Sequence, residues 1–299
     1  MTTTLDTTTT SQPTPHGRAG VRQLVHSEWT KLRSVRSTWI SLAIIVIAGL
    51  GISALVSSIE AGRWTRLALS ERANFDPVRV SQGGIFISQF VVGVLGALVV
   101  TSEYSNGMIR STLAAVPRRS SVAVAKALVI GIVIFVVSEI TAFAAFFVSR
   151  AILVGHGGKP LPASATLLQK VHATAVPVVS LGSSGVAAAL FRTGLYLTLM
   201  ALIALGIGLL LRHSTGAISL FVGLLLIIPL LIQLLPSSMT TSIEPKLLSN
   251  LGLAMSATTQ RKNDFAGVLM APWPATLLLC VYTAIVFGLG VWFLVRRDA

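Results

Sequence analysis

One cysteine in 299 residues, Cys280, excludes a disulfide or a cysteine-built metal cluster within a single chain. Charge is scarce too: Asp, Glu, Lys and Arg make up 11% of the sequence, where soluble domains carry about 25%. So few charges cannot cover a water-facing surface. The five histidines, His16, His26, His156, His172 and His213, are scattered without metal-ligand spacing, so no metal site is expected. Gly158-Lys159 is followed by Pro160 and has no glycine five positions before Gly158, so the chain lacks a phosphate-cradling loop. Zinc-protease, nucleophile-elbow and dinucleotide-binding patterns are missing as well. The sequence thus offers no catalytic or cofactor-binding residues of its own, and it does not read as an enzyme.

What the chain has is apolar length. Hydrophobic residues make up 53% of it, and its mean hydropathy is +0.81. Six runs approach the roughly 20 apolar residues that a spanning helix needs: 39–59, 83–102, 127–149, 194–211, 214–235 and 272–295. Glu139 is the only Asp, Glu, Lys or Arg in all six. Backbone groups in hydrocarbon must pair within their own element, and the alternation of a barrel strand is lacking. The expected fold is an all-α integral membrane protein with six transmembrane helices.

Residues 1–20, rich in Thr and with Pro13 and Pro15, have little to bury and read as a disordered tail. From Val21 the pattern becomes amphipathic. Val21, Leu24, Val25 and Leu32 share a helical face with Trp29 at its border, while Arg22, Lys31 and Arg33 can reach water or lipid phosphate. The first apolar run starts too late and is too long for a cleaved signal peptide, so it reads as a retained span. Only Arg212 and His213 separate the fourth and fifth runs, which implies a tight hairpin or one merged buried pair.

The formal charge of +13 is spread over the connections and forms no basic tract, so it points to membrane orientation and not to nucleic acid. Six spans put both termini on one side. With that side cytoplasmic, 12 of the 23 Lys and Arg residues lie inside, concentrated in the shorter connections, and 11 lie outside in longer ones. Short loops dominate orientation, so both termini are expected in the cytoplasm. Val176 to Val179 and Leu247 to Met255 are apolar stretches too short to span; they read as half-embedded segments or as ordinary surface helices.

The most informative polar segment follows the second run. In Glu103-Tyr104-Ser105-Asn106-Gly107-Met108-Ile109-Arg110-Ser111-Thr112-Leu113-Ala114-Ala115-Val116-Pro117-Arg118-Arg119, the apolar Met108, Ile109, Leu113 and Val116 have helical spacing and Pro117 stops the helix. This segment, Ser27-Glu28-Trp29-Thr30-Lys31-Leu32-Arg33-Ser34 before the first run, and the terminal Arg296-Arg297-Asp298-Ala299 resemble the ABC-2-type transporter permeases of actinobacteria. The resemblance extends over nearly all of 21–299, which would form one permease domain.

That resemblance implies the membrane subunit of an ATP-binding cassette exporter in the cell membrane. Two permease copies would form the pathway, and a separate ATPase subunit would carry ATP and Mg. It further implies that Glu103, Gly107, Met108, Ile109, Arg110, Leu113, Arg118 and Arg119 form the coupling element. Leu24, Glu28, Trp29, Lys31, Leu32 and Arg33 would belong to an elbow helix at the interface. The charges of the coupling element can equally be read as solvated loop charges that obey topology.

Glu139 either lines the transport path or reaches the outer interface, or it bonds to Ser138, Thr141 or a neighbouring helix. Gly93, Gly96, Gly206 and Gly208 suit close helix packing, Pro229 a kink, and Pro272 with Pro274 a helix start. Two other functions fit the composition: a secondary transporter that works without ATP, and a membrane scaffold or sensor. The former would be expected to show internal repeats and more intramembrane charge, and the latter an attached soluble domain.

Overall fold

The computed structural model describes residues 21–109, 119–160, 172–258, 262–263 and 267–296. Six of its helices are long and apolar enough to cross a membrane. The element order begins with α1 (Val21–Ser34), α2 (Arg36–Arg63), the short α3 (Leu69–Ala73) and α4 (Pro77–Ser81), then α5 (Ile85–Ser105) and α6 (Arg119–Gly155). It continues with α7 (Val186–Leu211), α8 (Ser214–Ile232), α9 (Ser237–Ile243), α10 (Leu248–Met255) and α11 (Pro272–Arg296). The spans are α2, α5, α6, α7, α8 and α11. Two-residue strands pair at 159–160 with 177–178 and at 262–263 with 267–268.

The bundle is built around α7. Within its apolar window 78% of residues are buried, against 22% for α2, α8 and α11, so those three turn most of their surface to lipid or another chain. α7 packs on α5, α6, α11 and α8, while α2 packs on α6 and α5. Small residues permit this proximity, as packing in lipid requires. A Cβ at Gly93 would overlap the Phe221 ring of α8, and one at Gly96 would overlap the backbone of Ala201 in α7. Gly206 faces the backbone of Phe287 and Gly208 the side chain of Val100, so all four glycines singled out in the sequence lie at helix crossings.

The largest departures of helix boundaries from the apolar runs are extensions: helices continue into polar sequence where protein replaces water as their surroundings. α6 starts at Arg119, not near Ala127, and α7 at Val186, not Gly194. Glu103, Lys126 and Arg192 thereby become helical and buried, so the spans hold more charge than Glu139 alone. Arg192 does not sit in a loop; it donates from Nε to the Met255 carbonyl at 2.9 Å and from Nη2 to the Ala257 carbonyl at 3.0 Å.

The hairpin after α7 is tight, and its helices are not merged. Arg212 adopts φ 56° and ψ 13°, donates its N–H to Gly208, and lays its guanidinium over the Tyr104 ring at 5.4 Å. α8 ends at Ile232, one turn after Pro229 and three residues short of the apolar run. Proline removes one donor there, close to where the helix ends. Pro272 opens α11, where its missing N–H has no partner to lose.

The longer connections are ordered partly by apolar contacts. Val176 and Val178 are not helical: they flank and occupy a short strand, buried beside Trp64, Phe75 and Leu153. Leu248–Met255 does form a helix, which seats Gly252 on the Tyr196 ring and buries Met255.

Candidate functional site

At the bundle end that holds α1 and the junction of α5 with α6, four charged side chains meet. Lys126 Nζ donates to Glu28 Oε2 at 2.6 Å and to Glu103 Oε1 at 2.9 Å. Lys31 Nζ donates to Glu28 Oε1 at 2.8 Å and to the same Glu103 oxygen at 3.0 Å. Each lysine thus bridges both carboxylates, and the quartet is formally neutral. Glu28, Glu103 and Lys126 are buried, while Lys31 keeps a third of its side chain exposed. Glu103 Oε2 is enclosed without a hydrogen-bond partner among the described residues.

Local sequence explains why these groups converge. α1 buries Leu24 and Leu32 against the protein, Leu24 meeting Val122 and Ala125 of α6. The four-residue spacing of Leu24, Glu28 and Leu32 puts all three on one face, so the carboxylate is carried into the contact with α6. Lys126 lies one turn beyond Val122 and faces it there. Glu103 stands in the last turn of α5, where Gly107 follows at φ 70° and its N–H returns to the Tyr104 carbonyl at 3.3 Å. That left-handed end stops the helix and turns the chain toward Met108.

Burial alone would weaken ionisation of both Glu28 and Lys31. For Glu28, desolvation is outweighed by Lys126 and Lys31, which hold its carboxyl below the usual carboxylate range. For Lys31, desolvation is outweighed by hydrogen bonds to Glu28 and Glu103, which hold its ammonium above the usual lysine range.

Beside the quartet lies a cavity of about 170 Å³ whose walls are mainly apolar. The quartet and Met108 also line it. Trp29 and Arg33, on the other face of α1, are exposed, and the Trp39 Nε1–H donates to the Arg33 carbonyl across the break between α1 and α2.

The sequence-derived coupling residues divide unevenly. Glu103 belongs to the quartet and is not a solvated loop charge. Gly107 ends α5, Met108 is exposed, Ile109 is buried and Arg119 opens α6. Arg110, Leu113 and Arg118, with Val116 and Pro117, lie outside the described residues. Of the elbow residues, Leu24, Glu28, Lys31 and Leu32 join the buried contact, with Trp29 and Arg33 outside it. Glu139 is remote from all of these. Both its carboxyl oxygens are enclosed and unpaired among the described residues, and its side chain presses on Gly194 of α7. Neither Ser138 nor Thr141 bonds to it there; the Ser138 hydroxyl is itself unpaired among those residues.

Lys126 is the functional candidate that sequence reasoning passed over. Its signal was its place one helical turn after the apolar Val122, which a topology count treats as one more loop cation. Among the described residues, no three His, Cys, Asp or Glu side chains assemble as a metal site.

All four charged residues fall within 24–184, the segment that matches the family model described as ABC-2 family transporter protein. The chain belongs to the ABC-2 transporter family. A search of curated proteins finds no match to it. This ABC-2 protein is therefore a multi-pass membrane transport component, and the match runs from α1 through α6 to just before α7. In this permease the matched region contains every side chain of the quartet and the whole wall of the adjoining cavity.

Proposed function

We propose that this permease is the membrane subunit of an ATP-driven exporter in the plasma membrane, with both termini in the cytoplasm. It works with a second permease copy and a separate ATPase subunit that holds ATP and Mg. The quartet carries this reading: it locks α1, α5 and α6 together at the end of the bundle from which the coupling segment departs. A push on that segment would act first on Glu103 and, through Lys126, on α6 and α1 as one body. Packed helix bundles respond to such a push by switching between discrete packings, which suits alternating exposure of a transport path. Glu139, enclosed between α6 and α7, would meet a transported molecule only when those helices part.

Within the coupling segment Met108 is the exposed contact and Ile109 the anchor. The test is co-purification from membranes with mass spectrometry of the bound chains. An ATPase subunit should accompany the wild-type permease, and Met108→Asp and Leu113→Asp should lose it while the permease still inserts and folds. Recovery of no ATPase with the wild type, or equal recovery with both variants, would refute the reading.

A further inference from the structure

We infer that the cavity under α1 takes the end of an acyl chain from an anionic membrane lipid whose headgroup rests among the cations of α1 and the start of α2. The cavity wall is formed mainly by Leu32, Leu95, Leu98, Val99, Val129 and Ile130. At about 170 Å³ it resembles in size the engineered apolar cavity of roughly 150 Å³ that stays dry and binds benzene. Water is a poor occupant, because a held water needs two to four polar partners. Most of the charged atoms on this wall are engaged with one another: both Glu28 oxygens, Glu103 Oε1 and both ammonium groups lie within the quartet, the Ser102 hydroxyl donates to the Leu98 carbonyl, and the unpaired Glu103 Oε2 is enclosed.

Location supplies the apolar occupant and charge selects its headgroup. The cavity opens where an amphipathic helix meets the spans; Trp39, next in sequence to the lining Thr38, and Trp29 on the opposite face of α1 are both exposed, residues typical of the membrane–water boundary. Acyl chains are the apolar material at that depth. Residues 21–36 carry Arg22, Lys31, Arg33 and Arg36 against the single carboxylate of Glu28, which Lys126 and Lys31 already neutralise. Lys31 keeps a third of its side chain exposed on the cavity wall, and the exposed Arg36 lies between the lining residues Val35 and Ser37, so the mouth carries cationic groups suited to a headgroup of net negative charge. A zwitterionic headgroup lacks that complementarity. The lipid would fill the space between α1 and the α5–α6 pair and stiffen the contact that the quartet makes.

The full chain is reconstituted in bilayers of equal parts phosphatidylglycerol and phosphatidylcholine, extracted gently and weighed intact with its retained lipids by native mass spectrometry. The expected result is one phosphatidylglycerol per chain held in preference to phosphatidylcholine. Val99→Phe, which fills the cavity, should lose that lipid, and Leu98→Phe provides a second filling variant; thermal melting reports whether each folds. Arg36→Gln should retain a lipid but no longer distinguish the two headgroups. Equal retention of both lipids by the wild type, undiminished retention by a folded cavity-filled variant, or a non-lipid molecule in the cavity's place would overturn the proposal. The measurement uses this chain alone, so its outcome is separate from that of the ATPase co-purification.

Discussion

Lys126 and Glu28 stand 98 residues apart in sequence, and their charged atoms are 2.6 Å apart, both side chains almost wholly enclosed. Removing one member of a buried pair strands the other, at a cost of about 3–5 kcal/mol. Lys126→Met should therefore lower the melting temperature of the detergent-purified permease more than Glu28→Gln with Lys126→Met combined. A double variant as unstable as the sum of the single ones would show that the two residues are not coupled.

The direction of each shift sets a pH window. Glu28 titrates below its ordinary value, so its stabilising effect is complete above the unfolded carboxylate value and is lost as pH falls through the folded one. Lys31 titrates above its ordinary value, so its contribution is complete below the unfolded lysine value and disappears as pH rises through the folded one. Attachment of α1, followed by hydrogen exchange over 21–34, should stay level between these ranges and weaken beyond them at both acid and alkaline pH. Acid weakening that Glu28→Gln leaves unchanged would assign it to another group.

Gly194 is the notch that admits Glu139, and a Cβ there would stand 2.6 Å from the carboxyl carbon. Gly194→Ala should destabilise the α6–α7 contact by about 1–3 kcal/mol, the usual range for overpacking. Adding Glu139→Ala should recover most of that loss. Thermal melting of the two single variants and the pair decides the matter, and strictly additive losses would exclude the steric link.

Arg192 holds the end of α10 through the Met255 and Ala257 carbonyls, while Asp76 Oδ2 accepts from the Thr258 hydroxyl at 3.2 Å. Arg192→Leu leaves buried acceptors unpaired, at a cost of about 1–3 kcal/mol. Hydrogen exchange should accelerate over 252–258 and leave α1 unaffected. Acceleration confined to α1 would contradict this assignment.

Much of the fold could be read in the sequence because lipid imposes a simple demand: an apolar run long enough to cross must be a helix. The six runs and the Arg212 hairpin follow from that demand, and the helix from Val21 from its amphipathic period. Helix ends did not, since α6 and α7 extend through Lys126 and Arg192, whose charge marks water exposure only until a neighbouring helix supplies partners. The same limit applied to Val176 and Val178, whose apolar character serves a small cluster with Trp64.

By itself, then, the sequence determined that this protein lives in a bilayer, how often it crosses and, through a family pattern around Glu103 to Arg119, what kind of transporter it resembles. Tertiary structure alone decided that Glu28, Lys31, Glu103 and Lys126 are one unit, that Met108 faces outward while Ile109 faces in, and that Glu139 is closed off behind Gly194. The physical reason is one of range. Hydropathy and helical period act over a few turns of one chain segment and can be read in order, whereas a buried charge is tolerated only by partners that the chain brings from far along its length.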